Sequence, residues 1–170
     1  RQQMKKAAQN GDWAAFLDAR KQLNDLMGAG DMLSLLDAIQ FSAPKHVFQE
    51  LLRTGSQFTP DMIMFLAINN NVDQVKMLIA LGFDIHMADR YEKNALLYSI
   101  EFNASGVFHF LLAQGVSMAP SIRGFDALDT ALSALLKPQN TSLIFADSLI
   151  ELTTYLKPSH RYLLSQLQQQ

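Results

Sequence analysis

The chain has 170 residues, 49% of them hydrophobic and 18% charged, with a net charge of −2, which suits a folded array or single domain with a real core rather than a disordered segment. It has no cysteine, which excludes disulfide scaffolds, thiolate metal sites and cysteine nucleophiles. The longest apolar run, Met62 to Ile68, is far short of the roughly 20 residues needed to span a bilayer, so membrane insertion is not expected.

Charge is spread without a strong patch. Residues 1–30 carry five bases and three acids, residues 31–118 five and nine, and residues 119–170 four of each. Nucleic-acid binding rests on clustered Lys and Arg, and no cluster of that kind is present. The compartment is left open by a cysteine-free composition, with a soluble, cytoplasmic setting favoured. The chain starts at Arg1 with no signal-like apolar segment, which also fits a mature or excised piece of something longer.

From the N-terminus, Ala7-Ala8-Gln-Asn-Gly11-Asp12 reads as a helix end, a glycine stop and an Asp cap, followed by an amphipathic run from Trp13 through Phe16 and Leu17 to Leu26. Gly28-Ala-Gly30-Asp31 closes that pair and caps the next. It lacks the Gly-Lys-Ser/Thr ending of a phosphate loop. Three later stretches then share one marker, a glycine after a Leu-Leu-like pair: Leu51-Leu52 before Gly55, Leu78-Ile79 before Gly82, and Leu111-Leu112 before Gly115, spaced 27 and then 33 residues apart. Apolar residues stand at three- and four-residue steps behind each glycine, as on the buried face of a helix.

Each of these helices follows another short apolar one, at Met32 to Gln40, Met62 to Asn69 and Asn94 to Phe102. The small residues Ala38, Ala67 and Ser99 lie inside them, where a large side chain would hold paired helices apart. Ser42-Ala-Pro44, Asn69-Asn-Asn71 and Asn103-Ala-Ser-Gly106 mark the bends, with Pro44 suited to a first helical turn. Asp126-Ala-Leu-Asp-Thr-Ala-Leu132 repeats the pattern, and its second helix is expected from Ser142 to Leu156. Lys157-Pro158 ends it, and Ser159 caps a last helix through Leu167.

These residues resemble the ankyrin-repeat family. Asn94-Ala-Leu-Leu-Tyr-Ser-Ile100 stands where that family has Thr-Pro-Leu-His-x-Ala-Ala, and Gly82-Phe-Asp-Ile-His86 is similar to Gly-Ala-Asp-Val-Asn. No complete Thr-Pro-Leu-His block survives, so the array is divergent. The resemblance implies an all-α solenoid of about five stacked helix pairs in a single domain over residues 1–170. The repeats are expected at roughly 2–30, 31–58, 59–88, 89–121 and 122–157, with a capping helix at 159–169. The protruding hairpin should be fullest between Phe83 and Lys93.

No catalytic constellation is visible. His46, His86, His109 and His160 have no helical metal-pair spacing, the carboxylates have local turn or helix-start roles, and no nucleophile elbow is present. No cofactor and no metal are therefore expected, and the chain reads as a non-catalytic protein-protein interaction module. Its partner-binding residues would be Arg90, Tyr91, Glu92 and Lys93 at the hairpin tip with Tyr98, Glu101 and Phe102 on the concave side implied by the resemblance. The alternatives are a regulatory or targeting domain of a larger polypeptide and a small enzyme or ligand-binding protein. Partner identity and oligomeric state are not legible.

Overall fold

The computed structural model describes residues 1–27 and 32–116, and beyond them Pro158, Arg161, Tyr162, Ser165 and Gln166. The expected closure at Gly28 to Asp31, the fifth pair and the Ser159 cap lie outside the described residues. At the five C-terminal positions the chain is helical.

The fold is all-α and ankyrin-like. Helices come in pairs: α1 (Gln2–Gln9) with α2 (Trp13–Met27), α3 (Met32–Gln40) with α4 (Lys45–Arg53), α5 (Ile63–Ile68) with α6 (Val72–Ala80), and α7 (Ala95–Glu101) with α8 (Ser105–Ala113). A 3-10 turn at Pro60–Met62 leads into α5. The first helices stack in sequence, α1 on α3, α3 on α5 and α5 on α7. Among the described residues no strand forms, and the sole pairing of extended backbone is the antiparallel bridge between Ala88 and Asn94.

One backbone motif ends helix after helix. At Gly82 the amide donates to the Ile79 carbonyl at 3.0 Å, and the next amide, Phe83, reaches back to Leu78 at 2.9 Å. The same two bonds recur at Gly11, Ser42, Gly55, Asn103 and Gly115, and they satisfy carbonyls that a helix C-terminus leaves open. The φ at the turning residue decides which residue type stands there. It is 108° at Gly55 and 103° at Gly82, beyond the left-handed region open to side-chain-bearing residues, but 45° to 55° at Ser42, Asn70 and Asn103, inside it. The bends of the second, third and fourth pairs thus use Ser and Asn, the first pair turns at Gly11, and α4, α6 and α8 end on glycine. Pro44 stands one position earlier than expected, as the N-cap of α4 with extended backbone.

The core is continuous along the stack. Leu35, Ala38, Ile39, Ile63, Leu66, Ala67, Leu96, Ser99 and Ile100 of the first helices are almost fully buried against Phe16, Phe48, Leu51, Leu78, Phe108 and Leu111 of the second. Ser99 satisfies its hydroxyl within its own helix, on the Leu96 carbonyl at 2.6 Å, so a small polar residue sits in the stack without an orphaned group. Of each Leu-Leu-like pair the first member is buried and the second, Leu52, Ile79 or Leu112, half-buried.

Polar side chains tie neighbouring pairs together. Arg20 on α2 is buried and donates to Thr54 Oγ1 and, at 3.0 Å, to Ser56 Oγ. Asn69 and Gln74 both donate to the Ile39 carbonyl at the end of α3, at 2.6 and 2.9 Å. Asn70 turns its Oδ1 onto the Val107 amide at 3.1 Å and so caps α8 from the preceding pair. Three consecutive asparagines therefore do three jobs, since Asn71 caps α6 through the Gln74 amide.

Candidate functional site

The longest connection in the described chain, between α6 and α7, folds into a turn held by one carboxylate. Asp89 Oδ1 accepts the amides of Tyr91 at 2.9 Å and Lys93 at 3.1 Å, while its own amide donates to the Lys93 carbonyl at 2.9 Å. Its second oxygen, Oδ2, accepts the Tyr98 hydroxyl from α7. Four donors and acceptors thereby lock the hairpin tip to the first helix behind it. Asn94, buried, closes the bridge and caps α7 through the Leu97 amide at 3.0 Å. Glu92 has φ of 58°, so the turn passes through the left-handed region at that residue.

The helix side of the site is built on Tyr98. Its ring is buried, at 5% exposure, and stacks on Phe102 one turn later at 6.3 Å and 19°. Lys93 Nζ lies 5.3 Å from the Tyr98 ring centroid and 3.0 Å from Glu101 Oε2, joining a cation–π contact to an ion pair. Burial, then the hydrogen bond to Asp89 and its negative charge, push the Tyr98 hydroxyl well above the usual phenol range. At the rim, Arg90 pairs with Asp61 at 3.2 Å, and that contact raises the guanidinium's pKa.

The seven residues expected from sequence take different places. Lys93, Tyr98, Glu101 and Phe102 form one cluster, and Arg90 turns to Asp61 at the start of the 3-10 turn. Tyr91 at 64% and Phe102 at 42% exposure present aromatic surface to solvent, whereas Tyr98 supports that surface from beneath. Sequence reasoning missed Asp89 as the hub, Asp61 as the Arg90 partner and Ile68, 46% exposed at the end of α5. The four-residue Asp-to-Lys spacing is a turn signal, but nothing local links Asp89 to a tyrosine nine positions on.

A groove of about 630 Å³ lies between α2 and α4 and is lined by Leu17, Asp18, Arg20, Lys21, His46, Glu50, Arg53 and Thr54. Arg53 donates two hydrogen bonds to Glu50, at 2.9 and 2.5 Å, and holds its carboxyl below the usual range. Charges of both signs line its wall, and Glu50 and Arg53 form an ion pair there. Among the described residues no group of three or more His, Asp or Glu side chains could hold a metal ion, and no helix is long and apolar enough to cross a membrane.

No family model matches the chain. It is 29% identical over 116 residues to a putative ankyrin repeat protein of Acanthamoeba polyphaga mimivirus, an alignment covering 64% of this chain and 16% of that protein. The stacked helix pairs and this similarity agree on an ankyrin-like architecture.

Proposed function

We propose that the chain is a divergent ankyrin-repeat protein whose role is to bind another protein without catalysing a reaction. The similarity to a protein named for its ankyrin repeats supports the general class. Its single domain comprises five helix pairs, at roughly 2–30, 31–58, 59–88, 89–121 and 122–157, closed by a capping helix at 159–169, and forms a solenoid. The partner is held through the hairpin residues Arg90, Tyr91, Glu92 and Lys93 together with Glu101 and Phe102 on the concave side, and Tyr98 fixes their placement.

The observation that carries this reading is exposed aromatic surface on a pre-ordered support: Tyr91 and Phe102 face solvent, while Asp89 and Tyr98 hold the elements that bear them. Aromatic anchors carry much of the energy of interfaces, and ordering them before contact removes an entropy cost from association. Affinity capture with the purified chain tests it. Replacing Tyr91 and Phe102 with alanine should abolish capture while circular dichroism stays unchanged; intact capture by the folded double variant would defeat the assignment of this surface.

A further inference from the structure

We infer that Asn10-Gly11 is a self-modification site, at which the asparagine side chain cyclises onto the glycine amide, and that opening of the first helix pair gates the reaction. It is the chain's one Asn-Gly pair, and Asn10 is exposed. The Gly11 nitrogen attacks Asn10 Cγ, the Cγ–Nδ2 bond breaks, and the amide proton leaves with the amino group as ammonia. Water then opens the succinimide at either carbonyl, giving aspartate or isoaspartate. Glycine favours the closure because it sets no Cβ beside the attacking nitrogen.

The native turn opposes that closure in two ways. The Gly11 amide donates to the Ala8 carbonyl at 3.1 Å, and the Asp12 amide to the Ala7 carbonyl at 2.9 Å. Asn10 stands at φ −85° and ψ −2°. The ring needs Cβ nearly eclipsed with the Gly11 nitrogen, about a third of a turn away in ψ and outside the allowed regions. The reaction therefore runs from the open turn, with the end of α1 released. Isoaspartate then lengthens the main chain by a carbon between residues 10 and 11 and sets a carboxylate at the C-terminus of α1, where the helix dipole disfavours it. The two bonds that end α1 lose their register, so the helix no longer closes on α2 and α3, and Met4, Ala7 and Ala8 lose the burial they have there.

The test incubates the full chain and a free peptide of residues 5–16 in mildly alkaline buffer and follows aspartate and isoaspartate at position 10 by peptide mapping. Asn10 should react at least about a hundredfold slower in the chain than in the peptide, in proportion to the fraction of time the turn is open. Met4→Ala should speed the reaction about tenfold or more, and Leu111→Ala, in the fourth pair, should leave it unchanged. If Met4→Ala does not fold, urea below the main unfolding transition replaces it, and the rate should rise as the α1 amides lose exchange protection. Asn10→Asp carries the charge on a normal backbone and should keep α1 protected, while the purified isoaspartate chain should lose that protection. Equal rates in chain and peptide, or equal acceleration by both alanine variants, overturn the inference. So does an absence of product while the α1 amides exchange, or a protected α1 in the isoaspartate chain.

Discussion

At the scale of single residues, Tyr98 and Asp89 decide how the hairpin is held. Tyr98→Phe keeps the ring and its stack on Phe102 but removes the donor to the half-buried Asp89 carboxylate, and should cost about 1–3 kcal/mol in denaturant melts. The same residue sets an alkaline limit. Its hydroxyl pKa is raised on folding, so above the ordinary phenol value of about 10 the unfolded chain loses a proton that the folded chain keeps. Stability is fully present below that pH and falls as pH rises beyond it. Thermal melts between about pH 9 and pH 11 should slope downward in the wild type and flatten in Tyr98→Phe; parallel slopes would remove Tyr98 as the cause. The resemblance to ankyrin repeats placed Tyr98 on the concave side of a first helix. Its burial was not legible, because Asp89 reaches it only once the hairpin has folded back.

At the scale of elements, the sequence shows where helices stop more reliably than which side of them is buried. Glycine after Leu-Leu marks the ends of α4, α6 and α8 because the φ values at Gly55 and Gly82 suit no other residue. The Leu-Leu pair itself is ambiguous, since adjacent residues differ by about 100° around the helix and either could face the stack. The structure buries Leu111 completely and Leu112 in part. Leu111→Ala should therefore cost about 2–5 kcal/mol and Leu112→Ala roughly half as much or less, and urea melts giving the reverse order would shift the register of α8. The cap between pairs was also invisible in sequence. Asn70 reads as a turn residue, yet its side chain caps α8, thirty-seven positions along. Gly106 makes that approach possible, because a Cβ there would stand 3.3 Å from both Asn70 Oδ1 and Val72 Cγ2. Asn70→Ala should destabilise the chain by about 0.5–2 kcal/mol. Gly106→Ala should weaken the same junction, and the two changes combined should cost less than their sum, since both act on one contact.

At the scale of the whole molecule, the stack makes stability a property of neighbours. α5 touches α3 on one side and α7 and α8 on the other, and the polar ties follow the same order, Ile39 to Asn69 and Gln74, then Asn70 to Val107. α1, by contrast, packs on α2 and α3. In a linear array each unit's stability sums its own terms and those of its two interfaces, so damage spreads according to position. Leu66 in α5 and Met4 in α1 are both about 1% exposed, so their truncation to alanine removes comparable buried surface from a central and a terminal site. Hydrogen exchange under native conditions should then differ in pattern rather than in size. Leu66→Ala should lower protection in α3, α5, α7 and α8 together, while Met4→Ala should lower it in α1 and α2 and leave α7 and α8 unchanged. Equal loss across the whole chain from either substitution would mean that the helix pairs unfold as one cooperative block, and the hairpin at residues 89–93 would then be only as ordered as the entire molecule. Local loss from Met4→Ala would instead leave that hairpin intact on a stack already open at its N-terminal end, because its anchors, Asp61, Tyr98 and Glu101, all belong to the third and fourth pairs.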